Sequence, residues 1–148
     1  MSGAAQILKV NPKTVAKKLS FLGEVCRKRL EKDRAQYSGI EQVQFDELQT
    51  IEHTKCKPLS VAVAVAKKER KILGFQVSKM PATGHLANIS RKKYGKRPDE
   101  RSKGMHQLFD GLSRLLRPTT TFSSDECLFY NEVLRRYFPQ ANYTQHKG

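Results

Sequence analysis

Two acidic pairs stand where acids are poor material for building a core. Asp46-Glu47 interrupts the alternating run Val43–Ile51, and Asp125-Glu126 closes the β-branched and aromatic run Thr119–Ser124. A carboxylate on a strand face that has to be buried is costly, so an acid kept there calls for a reason. One reason is chemical. Carboxylates fixed on rigid backbone can ligate two divalent cations about 3.5–4 Å apart, as two-metal phosphoryl transfer requires. Asp46 and Asp125 are the candidate catalytic and metal-holding pair. The alternative is two solvated strand ends.

The elements that would position them are legible from periodicity. In Val43–Ile51, Val43 and Phe45 point one way and Gln44 and Asp46 the other, which leaves Glu47 opposite Asp46. Lys57–Ala66 sets Leu59, Val61, Val63 and Val65 against Ser60, Ala62, Ala64 and Ala66, a strand buried on one side and closely packed on the other. Lys67–Lys71 turns the chain into Lys71–Ser78, so the three runs predict an antiparallel meander. A short helix is predicted over His85–Lys93. A strongly amphipathic one starts at Asp99, with Met105, Leu108, Phe109, Leu112, Leu115 and Leu116 on one stripe and Pro118 at its end. Then come the strand Thr119–Ser124, a helix carrying Tyr130, Val133, Leu134 and Tyr137, and the start of a fifth strand over Ala141–Gln145. A fourth strand reached by a helical crossover should run parallel to the first. Paired beside it, that strand would make Asp46 and Asp125 neighbours. The order β-β-β-α-β-α-β predicts an RNase H-like α/β fold.

The start of the chain is different. Asn11 can cap a helix whose first residue is Pro12, and Val15, Leu19, Leu22 and Cys26 form an apolar seam along it. A short helix over Ala4–Leu8, a turn and this second helix resemble a helix-turn-helix, which would put Lys13, Thr14, Lys17 and Lys18 against DNA. Lys9 stands where a turn glycine is common. The seam would equally suit a partner helix, giving a homodimer. The polar stretch Lys32–Gly39 is the expected linker, dividing the chain into 1–38 and 39–148.

Charge sets the partner class. Lys and Arg number 28 against 14 Asp and Glu, a net charge of +14. That excess points to a polyanion, nucleic acid being the commonest. Beyond the first segment it concentrates in Arg91, Lys92, Lys93, Lys96 and Arg97, a second candidate DNA surface. His53 and Lys55, just past the first strand, are loop residues or phosphate contacts. Three scattered cysteines and four scattered histidines make no zinc or disulfide framework. With no apolar run long enough to span a bilayer and no signal peptide, the expectation is a cytoplasmic protein without a membrane partner.

Gln44-Phe-Asp-Glu-Leu, His53-Thr-Lys, Lys57-Pro-Leu-Ser-Val, Arg70-Lys-Ile-Leu-Gly-Phe, Pro81-Ala-Thr-Gly-His-Leu, Lys93-Tyr-Gly-Lys-Arg-Pro-Asp-Glu-Arg and Ser123-Ser-Asp together resemble the catalytic domain of bacterial insertion-sequence transposases. The resemblance covers about Val43 to the end, and 4–30 resembles the helix-turn-helix that often precedes such a domain. It implies an Asp-Asp-Glu triad holding Mg²⁺ or Mn²⁺, with Asp46 and Asp125 as first and second acids, and transposon-end DNA as partner at the bacterial nucleoid. The third acid should follow the fifth strand. No Asp or Glu follows Glu132, so that ligand is missing from its expected place and the catalytic domain is expected to lack its C-terminal part. Glu126 can swing toward Asp125 or cap the following helix. Two other functions compete: a DNA-binding fragment that represses, or survives as a remnant, and a basic RNA-binding protein.

Overall fold

A computed structural model describes residues 2–147, in two compact units that divide after Ser38. In the first, α1 (Ser2–Ile7) and α2 (Pro12–Arg34) are joined by a tight turn in which Lys9 adopts φ 50°. A side chain in this left-handed region is disfavoured, which is why glycine is common at such turns. Asn11 is extended, and its side-chain oxygen accepts the Lys13 N–H at 2.9 Å while Pro12 begins the helix. The cap is built as its sequence implies, because it depends only on neighbouring residues. α2 runs through the expected linker as far as Arg34, since no glycine or proline interrupts it there. No residue of α2 is buried, and Leu19, Leu22 and Val25 are exposed.

In the second unit, β1 (Gln42–Ile51), β2 (Pro58–Ala66) and β3 (Lys71–Lys79) form the antiparallel meander. After α3 (Leu86–Tyr94) and α4 (Arg101–Ser113) the chain enters β4 (Thr121–Asp125), parallel to β1. α5 (Leu128–Tyr137) then leads to β5 (Tyr143–His146), parallel to β4. The strand order β3-β2-β1-β4-β5, with two antiparallel and two parallel pairings and β2 alone running against the others, is an RNase H-like fold.

The core lies between the sheet and helices α4 and α5. Phe45 is its hub, with its ring 5.1 Å from that of Phe109 on α4 and 5.1 Å from that of Tyr130 on α5. The stripe of α4 is buried at Met105, Leu108, Phe109 and Leu112. The helix itself stops at Ser113; Leu115 and Leu116 follow in a turn, where Leu116 is buried and Leu115 only half-buried.

β2 presents its faces in an order the side chains alone do not announce. Ser60, Ala62, Ala64 and Ala66 are buried, whereas Leu59, Val61, Val63 and Val65 are half-buried on the far side. Ile72, Phe75 and Val77 of β3 extend that apolar far face and are exposed. At Gly104, α4 comes very close to β3. A Cβ placed on Gly104 would overlap Ser78 Oγ and meet Ser78 Cβ at 3.2 Å and Gln76 Cγ at 3.3 Å. Gly104→Ala is therefore expected to lower unfolding stability by about 1–2 kcal/mol, overpacking outweighing the helix-propensity gain of about 1 kcal/mol. Urea denaturation checks this, and adding Ser78→Ala should recover much of the loss.

Candidate functional site

Asp46 lies on the face of β1 turned away from α4 and α5, opposite Val63 of β2, and is exposed. Its Oδ1 accepts the Glu47 N–H at 2.6 Å. β1 pairs with β4 through Gln44↔Ser123, both on that same face. The β1–β4 ladder ends there, two residues short of Asp46 on one strand and of Asp125 on the other. Asp125 is exposed and has His146 of β5 as its register partner, a neighbour that the spacing of the two residues in the chain does not suggest. Among the described residues, no three His, Cys, Asp or Glu side chains assemble into a group able to hold a metal ion. Two exposed carboxylates do not by themselves fit a two-metal centre, which needs both ions fixed.

Glu47 occupies the helix side, below Phe45. Ser60 Oγ donates a short hydrogen bond to its Oε1, and the Tyr130 hydroxyl donates to Oε2 at 3.5 Å. Burial, then the Glu47 and Asp125 carboxylates, push the Tyr130 phenol far up, so it remains a protonated donor. Burial likewise raises the Cys127 thiol, with Glu47 and Asp125 adding to it, which leaves that cysteine a poor nucleophile. Arg101, at the start of α4, is bound chiefly to Asp99 at 2.7 Å and also feels Glu47. The alternation of β1 already placed Glu47 with Phe45, so a carboxylate on the buried face was the available signal for this cluster. Glu126 does not cap α5: Cys127 holds the cap position, and no side-chain cap bond forms.

The candidate DNA-binding residues fall into two groups, one in each unit. Lys13 and Lys17 are exposed on α2. Thr14 and Lys18 flank the apolar groove made by Leu8, Val10, Val15, Leu19 and Leu22, and Lys18 Nζ sits 5.2 Å from the Phe21 ring centre. In the second unit Arg91, Lys92 and Lys93 are exposed along the last turn of α3, and Lys96 is exposed just beyond it.

Arg97 differs from this expectation. Its Nε donates to Met80 O at 3.0 Å, and Nη2 donates to Pro58 O at 3.2 Å and to Glu52 Oε1 at 2.6 Å. With 11% of its side chain exposed, Arg97 ties the segment after α3 to the sheet rather than offering its fork to phosphate. Beside it, Lys57 Nζ at 4.7 Å and Lys93 Nζ at 5.5 Å approach the Tyr94 ring, and His53 meets that ring edge-on.

Fold and site together define an RNase H-like α/β domain accompanied by a helical unit, both carrying exposed basic residues. No protein-family model matches the chain, and no curated protein matches it. Among solved structures, the chain is similar to the N-terminal RNase H domain of a Mycobacterium tuberculosis protein, solved as a fusion with maltose-binding protein. The identity is 12% and the TM-score 0.37, over 72% of this chain and 88% of that one. RNase H1 from the halophilic archaeon Halobacterium salinarum is similar at 9% identity and TM-score 0.32, over 72% of this chain and 84% of that one. Strand order and direction carry the fold assignment.

Proposed function

We propose that this chain is a DNA-binding protein of the insertion-sequence transposase kind, recognising transposon ends. What supports the reading is that β4 runs parallel beside β1, with Asp46 two residues past their last paired position and Asp125 at the end of β4, in a chain of net charge +14. The basic side chains supply phosphate contacts, and α2 supplies the recognition helix. The seam of half-buried Val15 and exposed Leu19, Leu22 and Cys26 suits pairing with the α2 of a second copy. Mg²⁺ or Mn²⁺ would be held weakly by Asp46 and Asp125.

A second reading, a protein that occupies element ends without cutting them, is favoured by the lack of a three-donor metal group among the described residues. In this chain the two readings differ only in chemistry. A loosely placed ion costs about a hundredfold in rate for an error near 1 Å. The expected result is that this chain alone, with Mn²⁺ and a supercoiled plasmid carrying the ends, binds the DNA but nicks it no faster than Asp46→Asn or Asp125→Asn. Nicking by the wild type that both substitutions abolish would show instead that another acid, such as one from a second subunit, completes the site.

A further inference from the structure

Between α3 and the segment that follows it lies an open cleft of about 290 Å³, lined by Pro81, Ala82, Ala87 and Pro98 together with the exposed Arg91 and Lys96. Its walls are tied down independently of any ligand. Ser90 Oγ donates to Cys56 O at 2.7 Å, anchoring α3 to the β1–β2 turn. Arg97 anchors the opposite wall to Met80 and Pro58, and Glu100 N–H donates to Lys79 O at 2.8 Å. The one acid on the lining, Asp99, is already held by Arg101, whose bond to it keeps its carboxyl below the usual range. The cleft thus presents a preformed apolar slot beside two unanswered positive charges.

We propose that this cleft receives one unpaired base of a bound DNA strand, with Arg91 and Lys96 on the adjoining phosphates. The inference rests on the DNA-binding reading above and names a contact within it. Proline and alanine walls match the apolar faces of a base, and the basic pair matches the strand's charge. The volume sits at the low end of the roughly 300–1,000 Å³ of small-ligand pockets, which suits a single base and excludes a duplex. A base already unpaired enters most readily, because its stacking and pairing need not be broken.

The test uses the whole chain and an oligonucleotide with a single unpaired 2-aminopurine, whose fluorescence acrylamide quenches when the base is exposed. Binding should shield the probe, whereas a fully paired 2-aminopurine should show no added shielding. Ala87→Leu and Ala82→Leu each fill the slot. Both should restore quenching to that of the free probe and weaken binding roughly five- to tenfold, as loss of one base contact does. Thermal melting establishes that they are folded. No shielding by the wild type, or shielding that persists in both leucine variants, overturns the proposal. If the chain binds no DNA, the functional reading fails by itself. The mononucleotide of 2-aminopurine then decides the cleft: shielding by the wild type and not by Ala87→Leu supports it, and no shielding overturns it.

Discussion

Raising salt from about 50 to 200 mM is expected to weaken duplex DNA binding by roughly 10³–10⁵-fold, the loss that accompanies six to ten phosphate contacts. The excess of 28 basic over 14 acidic residues supplies the contacts, and each neutralised phosphate releases condensed counterions that added salt drives back. Anisotropy titrations across a salt series measure the slope. Lys17→Glu with Lys18→Glu should lower affinity strongly and reduce the slope by about two, since each phosphate contributes about 0.9. Arg97→Gln should leave the slope unchanged and lower stability instead, because its guanidinium is committed to Met80, Pro58 and Glu52. An unaltered slope in the double lysine variant would move the DNA surface to the stretch Arg91–Lys96. A shallow slope in the wild type would remove the basis for a nucleic-acid partner.

Phe45→Ala should cost about 3–5 kcal/mol of stability, the range for deleting a buried phenylalanine side chain. Phe45 is 1% exposed and meets four rings, with centroid distances of 5.1 Å to Phe109, 6.4 Å to Phe122, 5.1 Å to Tyr130 and 5.9 Å to Tyr143. Those rings belong to α4, β4, α5 and β5, so one truncation loosens the meander from everything added after it. Against a total stability of about 5–15 kcal/mol, the loss removes a large fraction of what keeps the RNase H-like unit folded. Phe45→Leu, which refills most of the volume, should cost much less. Urea midpoints for the two variants measure the difference. Equal midpoints would mean that Phe45 is not the hub.

What the sequence by itself determined is what local chemistry determines. The alternation of Val43, Phe45 and Asp46 set the faces of β1, the stripe of Met105, Leu108, Phe109 and Leu112 set the buried side of α4, and Asn11-Pro12 set the start of α2. Each follows from pleat, helical period or a cap made by adjacent residues. The meander and its parallel fourth strand were legible too, because short turns and a helical crossover leave few alternatives. The tertiary structure decided the rest. β2 offers valines on one face and alanines on the other, and only the side of the sheet on which α4 and α5 pack made the alanine face the buried one. Glu47 is tolerated on the helix side because Ser60, 13 residues away, and Tyr130, 83 away, supply its donors. Arg97 reads as one more cation in a basic run. Its carbonyl partners at Met80 and Pro58 and its acid at Glu52 lie 17, 39 and 45 residues distant, and folding turns it from a surface charge into a brace. A polar side chain's role depends on which donors and acceptors the fold delivers to it, and neither periodicity nor spacing records those partners.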